Sequence, residues 1–201
     1  MCGRFSLNIT LEQIQQHFSV DVVTCEWEPQ PEVFPSQQVP AIVMHQSKTR
    51  LGLLNWGLIP SWAKEKKGTG HINARMETLD RKPSFRESFL KRRCLILADG
   101  YYEWKTDPEN DNMKSRYCIQ LPSRELFAFA GLWDTWQKDY SGCTIITREA
   151  TGEITDIHDR MPCVLKPEAH ADWLDPFHQD VHDVRRSSQN GCVDDFIFSP
   201  R

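Results

Sequence analysis

The chain has 201 residues, 39% hydrophobic and 26% charged, with 7 Trp and 10 Phe; this excludes a disordered tail, a collagen-like repeat and a coiled coil, and suits one domain with its own core or at most two small ones. No run approaches about 18 apolar residues and the start carries no apolar signal segment, so no membrane-spanning helix and a cytoplasmic location are expected. The net charge of −4 is unevenly spread: residues 153–201 hold 10 acidic against 5 basic side chains, whereas 81–93 hold Arg81, Lys82, Arg86, Lys91, Arg92 and Arg93 against Glu87 alone, a basic stretch that suits phosphate binding or, equally, a solvated helix face.

A first helix is expected over residues 10–18, where Thr10 and Gln13 fit a capping box and Leu11, Ile14 and Phe18 share a face. Residues 27–40 contain four prolines and read as an extended loop. Strands follow at 41–45 and 51–56, then a surface loop over 60–72. The next helix covers about 84–92, with Ser84 and Glu87 as a capping box and Phe85 and Phe89 on one side. Strands are expected at 94–98, 101–105, 116–121, 126–133 and 143–147, with a polar turn at 107–112. Pro167 opens a late helix, and a last strand fits 196–198. Many short strands flanked by few helices predict an α+β single domain with a curled, barrel-like, mainly antiparallel β core.

The seven cysteines are odd in number and include no Cys-x-x-Cys pair, which argues against a disulfide framework and a zinc ribbon. Cys94, Cys118, Cys143 and Cys163 read as small buried hydrophobes. Cys2 differs by position. Removal of Met1 would leave one residue carrying both an α-amine and a thiol, which condense with an aldehyde to an imine and then close a thiazolidine. In unperturbed peptides the amine titrates near ~8 and the thiol near ~8.5, and a neighbouring cation such as Arg4 would lower both. Alone, Cys2 is better read as part of a frayed terminus.

Three further segments carry candidate chemistry. Asn73-Ala74-Arg75 follows a Gly-containing loop; the Asn73 amide suits positioning a sugar or an amine and Arg75 suits a phosphate, or the segment is a turn with a surface salt bridge. Glu103 lies between Tyr102 and Trp104. Facing inward it would have a raised pKa fit for acid/base work, whereas strand alternation could send it outward with Tyr101. His158 and Arg160 sit in Ile157-His158-Asp159-Arg160-Met161-Pro162, one a proton shuttle and the other a phosphate ligand, or both structural. His170, His178 and His182 with Asp175 and Asp183 lack a zinc spacing and read as a solvated acidic tail.

Five segments in order, Cys2-Gly3-Arg4-Phe5, Trp56 to Trp62, Asn73 to Thr78, Cys94 to Trp104 and Ile157 to Pro162, resemble the SOS-response-associated peptidase family, which includes proteins that crosslink to abasic sites in single-stranded DNA. The resemblance runs from Cys2 to about Leu165. It implies one domain over 1–201, with a shortened or divergent acidic part from about 166, and a positively charged DNA groove. It further implies that Cys2 forms the thiazolidine, that Glu103 and His158 are the acid/base pair, and that Asn73 positions Cys2 and the sugar. Arg4, Arg75 and Arg160 would hold flanking phosphates, and Trp62 would stack on a base. The implied partner is single-stranded DNA containing abasic sites, bound by a monomer without cofactor, metal or membrane. The family's Asn-x-Ala-Pro stretch reads Glu32-Val33-Phe34-Pro35-Ser36 here. Two other functions fit the same residues: a thiol peptidase with Cys2 as N-terminal nucleophile, which would remove Met1 itself, and a non-covalent single-stranded DNA-binding module.

Overall fold

The computed structural model describes residues 2–107 and 109–200. Its elements run β1 (Phe5–Leu7), α1 (Leu11–His17), β2 (Val22–Val23), β3 (Gln30–Val33), β4 (Gln38–His45), β5 (Lys48–Trp56), β6 (Asn73–Arg75), α2 (Pro83–Lys91), β7 (Arg93–Ala98) and β8 (Gly100–Asp107). They continue with β9 (Asn110–Gln120), β10 (Phe127–Trp136), β11 (Tyr140–Glu149), β12 (Arg160–Pro162), β13 (Val164–Leu165), α3 (His170–Leu174), α4 (Val181–Asn190) and β14 (Ile197–Pro200). The strands form two sheets, β14-β9-β8-β1-β3 and β12-β11-β10-β7-β4-β5-β2. In the larger sheet β5 also pairs in parallel with β11, through Gly142↔Asn55 and Cys143↔Trp56. That pairing closes β4, β5, β11, β10 and β7 into a ring, so the expected curled, mainly antiparallel core is present.

Closure depends on two glycines. A Cβ on Gly57, whose φ is +150°, would lie 1.8 Å from the Thr69 carbonyl oxygen, and one on Gly142 would lie 2.6 Å from the Gly57 carbonyl oxygen. Only glycine lets the chain cross the seam this closely. The Gly57 N–H then donates to the Cys143 carbonyl at 2.8 Å. The Trp56 indole N–H donates to the Ile72 carbonyl at 2.9 Å, which fixes the chain just before β6 beside β11. The loop 57–72 is thus anchored at both ends, with Leu58 bridged to His71.

The two sheets meet through aromatic side chains. Phe5 packs on Trp56 (centroids 5.0 Å) and on Phe129 (5.7 Å), and all three rings are buried. Burying each contributes about 1.5–3 kcal/mol. β1 lies between β3 and β8, with Phe5 opposite Tyr101 and the Tyr102 N–H donating to the Arg4 carbonyl. The amino-terminal residues are therefore part of the sheet, and the frayed-terminus reading of Cys2 does not hold.

Several sequence expectations change in detail. The Thr10–Gln13 capping box is present. The second helix instead starts at Pro83 with Lys82 as N-cap and no side-chain cap, because proline's fixed φ suits the first helical position and leaves Ser84 inside. Part of the extended loop over 27–40 forms β3 and the start of β4. The expected turn at 107–112 includes Pro108, which lies outside the described residues. The segment read as a solvated tail folds into α3 and α4, with Trp173, Leu174, Val184 and Ser188 buried. Cys163 is joined to Cys192 in a disulfide across 29 residues. This corrects the reading of Cys163 as a free hydrophobe: the two Cα atoms come within 5.8 Å when α4 docks, a tertiary event that no local spacing announces.

Candidate functional site

The junction of the two sheets brings Cys2, Asn73, Glu103 and His158 into one neighbourhood. Cys2 enters from the strand start before β1 and is fully buried. Its carbonyl accepts from Asn73 Nδ2 at 2.7 Å, so β6 on the barrel holds the amino-terminal residue against the smaller sheet. Asn73 Oδ1 is buried without a hydrogen-bond partner among the described residues, an acceptor held ready inside the site. The Cys2 thiol lies 3.8 Å from the Arg4 carbonyl oxygen, a weak contact.

The electrostatics of Cys2 overturn one expectation. Its thiol is pushed well above the usual thiol range, first by burial and then by the nearby Glu103 charge. Arg4 lowers it only in part, through the backbone contact with the thiol; its guanidinium points away, to Glu32 and the aromatic rings of Phe34 and Trp104. The thiol is thus held protonated.

Glu103 is 2% exposed on β8. Burial raises its carboxyl above the ordinary carboxylate value, and the His158 charge pulls the other way. Tyr101 and Glu103 share a face, as alternation requires, and both are buried, so Glu103 does not point out to solvent. Tyr101, which the sequence reading did not single out, places its hydroxyl in the same buried region. Burial and the charges of Cys2 and Glu103 push its pKa well up, and its oxygen has no hydrogen-bond partner among the described residues.

His158 stands in the loop before β12, its backbone N–H donating to the Ile154 carbonyl. Its Nδ1 accepts the Arg160 backbone N–H at 2.9 Å and lies 2.7 Å from Asp159 Oδ1. The first contact requires a bare Nδ1, with the ring proton on Nε2, and the second requires a proton on Nδ1, so each belongs to a different state of the ring. Glu103 and His158 line a cleft of about 420 Å³ together with Trp104, Thr106 and Lys114. Thr106 on β8 and Lys114 on β9 belong to no motif, and Trp104, although it ends the fourth motif segment, has no role assigned from the sequence.

The arginines have distinct surroundings. Arg75 on β6 is exposed. Arg160 is 8% exposed and forks onto Glu77 through Nη1 at 2.8 Å and Nη2 at 3.0 Å, with Nη2 also donating to the Thr147 carbonyl. Its guanidinium therefore faces inward and ties β12 to the turn after β6. Arg4 is half-buried, 3.1 Å from Glu32. Trp62 is 63% exposed and lines an apolar cavity of about 450 Å³ with Ile59, Lys64, Lys67 and His71, which shares no lining residue with the Glu103 cleft. The His170, His178 and His182 segment is used structurally: His178 Nδ1 pairs with Asp172 at 2.8 Å, and His170 Nε2 lies 3.2 Å from the Leu165 carbonyl oxygen. Among the described residues no group of three His, Cys, Asp or Glu side chains is placed to hold a metal, and no helix is long and apolar enough to cross a membrane.

Comparison with known proteins gives a consistent picture. The family described as SOS response associated peptidase (SRAP) matches residues 1–195. The chain is 45% identical over 203 residues to the abasic site processing protein YoqW of Bacillus subtilis, covering 97% of this chain and 89% of that one. It is 44% identical over 183 residues to the abasic site processing protein YoaM of the same organism, covering 88% and 80%. A solved protein structure from Bacteroides thetaiotaomicron superposes with a TM-score of 0.81 at 23% identity, covering 99% of this chain and 91% of that one, a likeness of fold.

Proposed function

Because this chain belongs to the SOS response associated peptidase family, we propose that it processes abasic sites in single-stranded DNA by forming a covalent thiazolidine link through Cys2 once Met1 is gone. Met1 lies outside the described residues, and its removal is part of the proposal. The observation that carries the reading is the burial of Cys2 beside Glu103, with its carbonyl held at 2.7 Å by Asn73. That arrangement holds the first residue of the processed chain next to Glu103, one of the residues lining the cleft, instead of leaving it to fray.

The steps follow from the groups present. The ring-opened sugar offers an aldehyde at C1′. The Cys2 amine adds to that carbon, giving a carbinolamine, and loss of water gives the imine. The thiol sulfur then adds to the imine carbon and its proton passes to nitrogen, closing the five-membered ring. His158, with a proton on Nε2, is suited to assist sugar ring opening. Glu103, with its raised pKa, is suited to exchange protons at the carbinolamine and thiol steps. Each such group contributes about 10²–10⁴-fold. A protonated thiol suits this order, since the amine attacks first and the sulfur needs deprotonation only at closure. The same raised thiol pKa disfavours a thiolate peptidase. Arg160 serves as a positioning residue, its fork to Glu77 holding the backbone amide that sets the His158 tautomer. Arg75 is the exposed cation for a flanking phosphate.

Intact mass spectrometry after mixing the purified protein with an abasic oligonucleotide tests the reading. The expected species is the chain without Met1 plus the oligonucleotide minus one water, stable to heating. Non-covalent binding alone, or an adduct on a chain that keeps Met1, would overturn it.

A further inference from the structure

The outer edge of the same cleft carries a charge arrangement that the crosslinking chemistry does not use. Arg4 and Arg116 converge on one carboxylate: Arg4 Nη1 lies 3.1 Å from Glu32 Oε2, and Arg116 Nη1 lies 2.5 Å from Glu32 Oε1. Each guanidinium takes one oxygen. All three side chains remain 28–29% exposed, so the cluster sits at the rim. The cations are held independently of the carboxylate, Arg4 over the rings of Phe34 (4.5 Å) and Trp104 (5.1 Å) and Arg116 over the ring of Tyr102 (4.6 Å). Such contacts keep a guanidinium in place when its counterion leaves. Cross-strand pairing sets Trp104 opposite Arg116 and Thr106 opposite Lys114, and Trp104, Thr106 and Lys114 line the cleft with Glu103 and His158. The cluster therefore continues the cleft wall.

We propose that Arg116 joins Arg4, whose phosphate role the family resemblance already implies, in one phosphodiester subsite for the strand entering the cleft, and that the chain's own Glu32 carboxylate occupies this subsite in the free protein until an incoming phosphate displaces it. The two non-bridging oxygens of a phosphodiester offer the same fork as the two carboxylate oxygens. A partly exposed ion pair is a weak lock, so the internal anion is exchangeable. The contrast within this molecule is Arg160 with Glu77: Glu77 is 41% exposed, but the Arg160 side chain is only 10% exposed, grips both carboxylate oxygens and is also tied to a backbone carbonyl; that pair is a strut. Glu32 thus lowers affinity for any strand and favours those held in addition by capture at Cys2. The proposal rests on the single-stranded DNA reading above.

The test uses fluorescence anisotropy with a labelled, undamaged oligothymidylate, so that no covalent step contributes. Glu32→Gln is expected to tighten binding about three- to tenfold. Arg116→Ala is expected to weaken it by a similar factor, and to remove the gain when combined with Glu32→Gln. Lys48→Ala, at the tip of the β4–β5 turn, serves as the charge control and is expected to change little. Unchanged or weaker binding by folded Glu32→Gln overturns the proposal, as does a gain that survives in the double variant. Should Glu32→Gln fail to fold, Arg116→Ala on the native chain decides: affinity equal to that of the control overturns the subsite. If abasic strands are captured but Glu32→Gln gains nothing, the subsite alone fails. If Glu32→Gln tightens binding but no adduct forms, the crosslinking reading alone fails.

Discussion

Two regions of this protein bury polar groups to the same depth and treat them in opposite ways. Beneath α2 and α3, Arg93 is 3% exposed and its guanidinium meets the carbonyls of Trp173, Phe89, Leu90, Asp175 and His178. Burial draws its pKa down to about 10, so it stays charged at neutral pH and collects the carbonyls left open where the two helices end. At the sheet junction, Cys2 and Glu103 are equally buried, yet their pKa values are pushed away from ionisation, and Asn73 Oδ1 and the Tyr101 hydroxyl wait without partners among the described residues. A saturated buried charge holds helices together. An unsaturated buried group lowers stability and is retained where a ligand will complete it.

The largest test of that contrast removes the sulfur. Cys2→Ala should abolish the heat-stable adduct, measured by denaturing gel shift, while costing only about 1 kcal/mol of stability from the lost buried atom. Glu103→Gln comes next: crosslinking should slow about 10²–10⁴-fold in single-turnover kinetics, yet the melting temperature at neutral pH should rise. The sign follows from the raised folded-state pKa. The protonated carboxyl contributes fully below its ordinary range, and that contribution is lost as pH climbs through the raised value. The stability advantage of Glu103→Gln over the native chain should therefore widen from acid to neutral pH in parallel thermal melts. Arg93→Ala should do the reverse of Glu103→Gln. It should cost about 4 kcal/mol in denaturant titrations, because five carbonyls lose their donor, with the rate per folded molecule unchanged. A slow rate in folded Arg93→Ala would break the separation of the two regions. Reducing the Cys163–Cys192 bond, or Cys192→Ser, should cost about 3.6 kcal/mol for a loop of this length, again without altering the rate. Arg75→Ala should have the smallest effect, a few-fold loss of affinity with the salt slope shallower by about 0.7.

Local chemistry was legible in the sequence, and contacts across the fold were not. The Thr10–Gln13 box needs only four residues and reads directly. The ring closure at Gly57 and Gly142 joins positions far apart, so the curled core could be inferred from many short strands but not its seam. β8 is buried on both faces over Gly100 to Glu103, which erases the period-two signal that would have shown where Glu103 points. Strands of two to four residues, such as β2, β6 and β13, are too short to carry any period. The resemblance carried by the five ordered motifs implies Cys2, Asn73, Glu103 and His158 as site residues, and the fold brings these four into one neighbourhood. What the motifs could not reveal was electrostatic environment: the inward fork of Arg160 onto Glu77, the convergence of Arg4 and Arg116 on Glu32, and a thiol kept protonated by burial all depend on partners 28 to 101 residues away.

The central claim concerns which bonds form at one carbon. An oligonucleotide carrying ¹³C at C1′ of its abasic site, mixed with the processed protein and followed by NMR, reports them directly. The account predicts that the label becomes a saturated carbon bonded to both nitrogen and sulfur, and that Glu103→Gln reaches the same product more slowly. A label that remains a sugar hemiacetal while the strand is bound, or that stops at an imine with the native cysteine present, would contradict it.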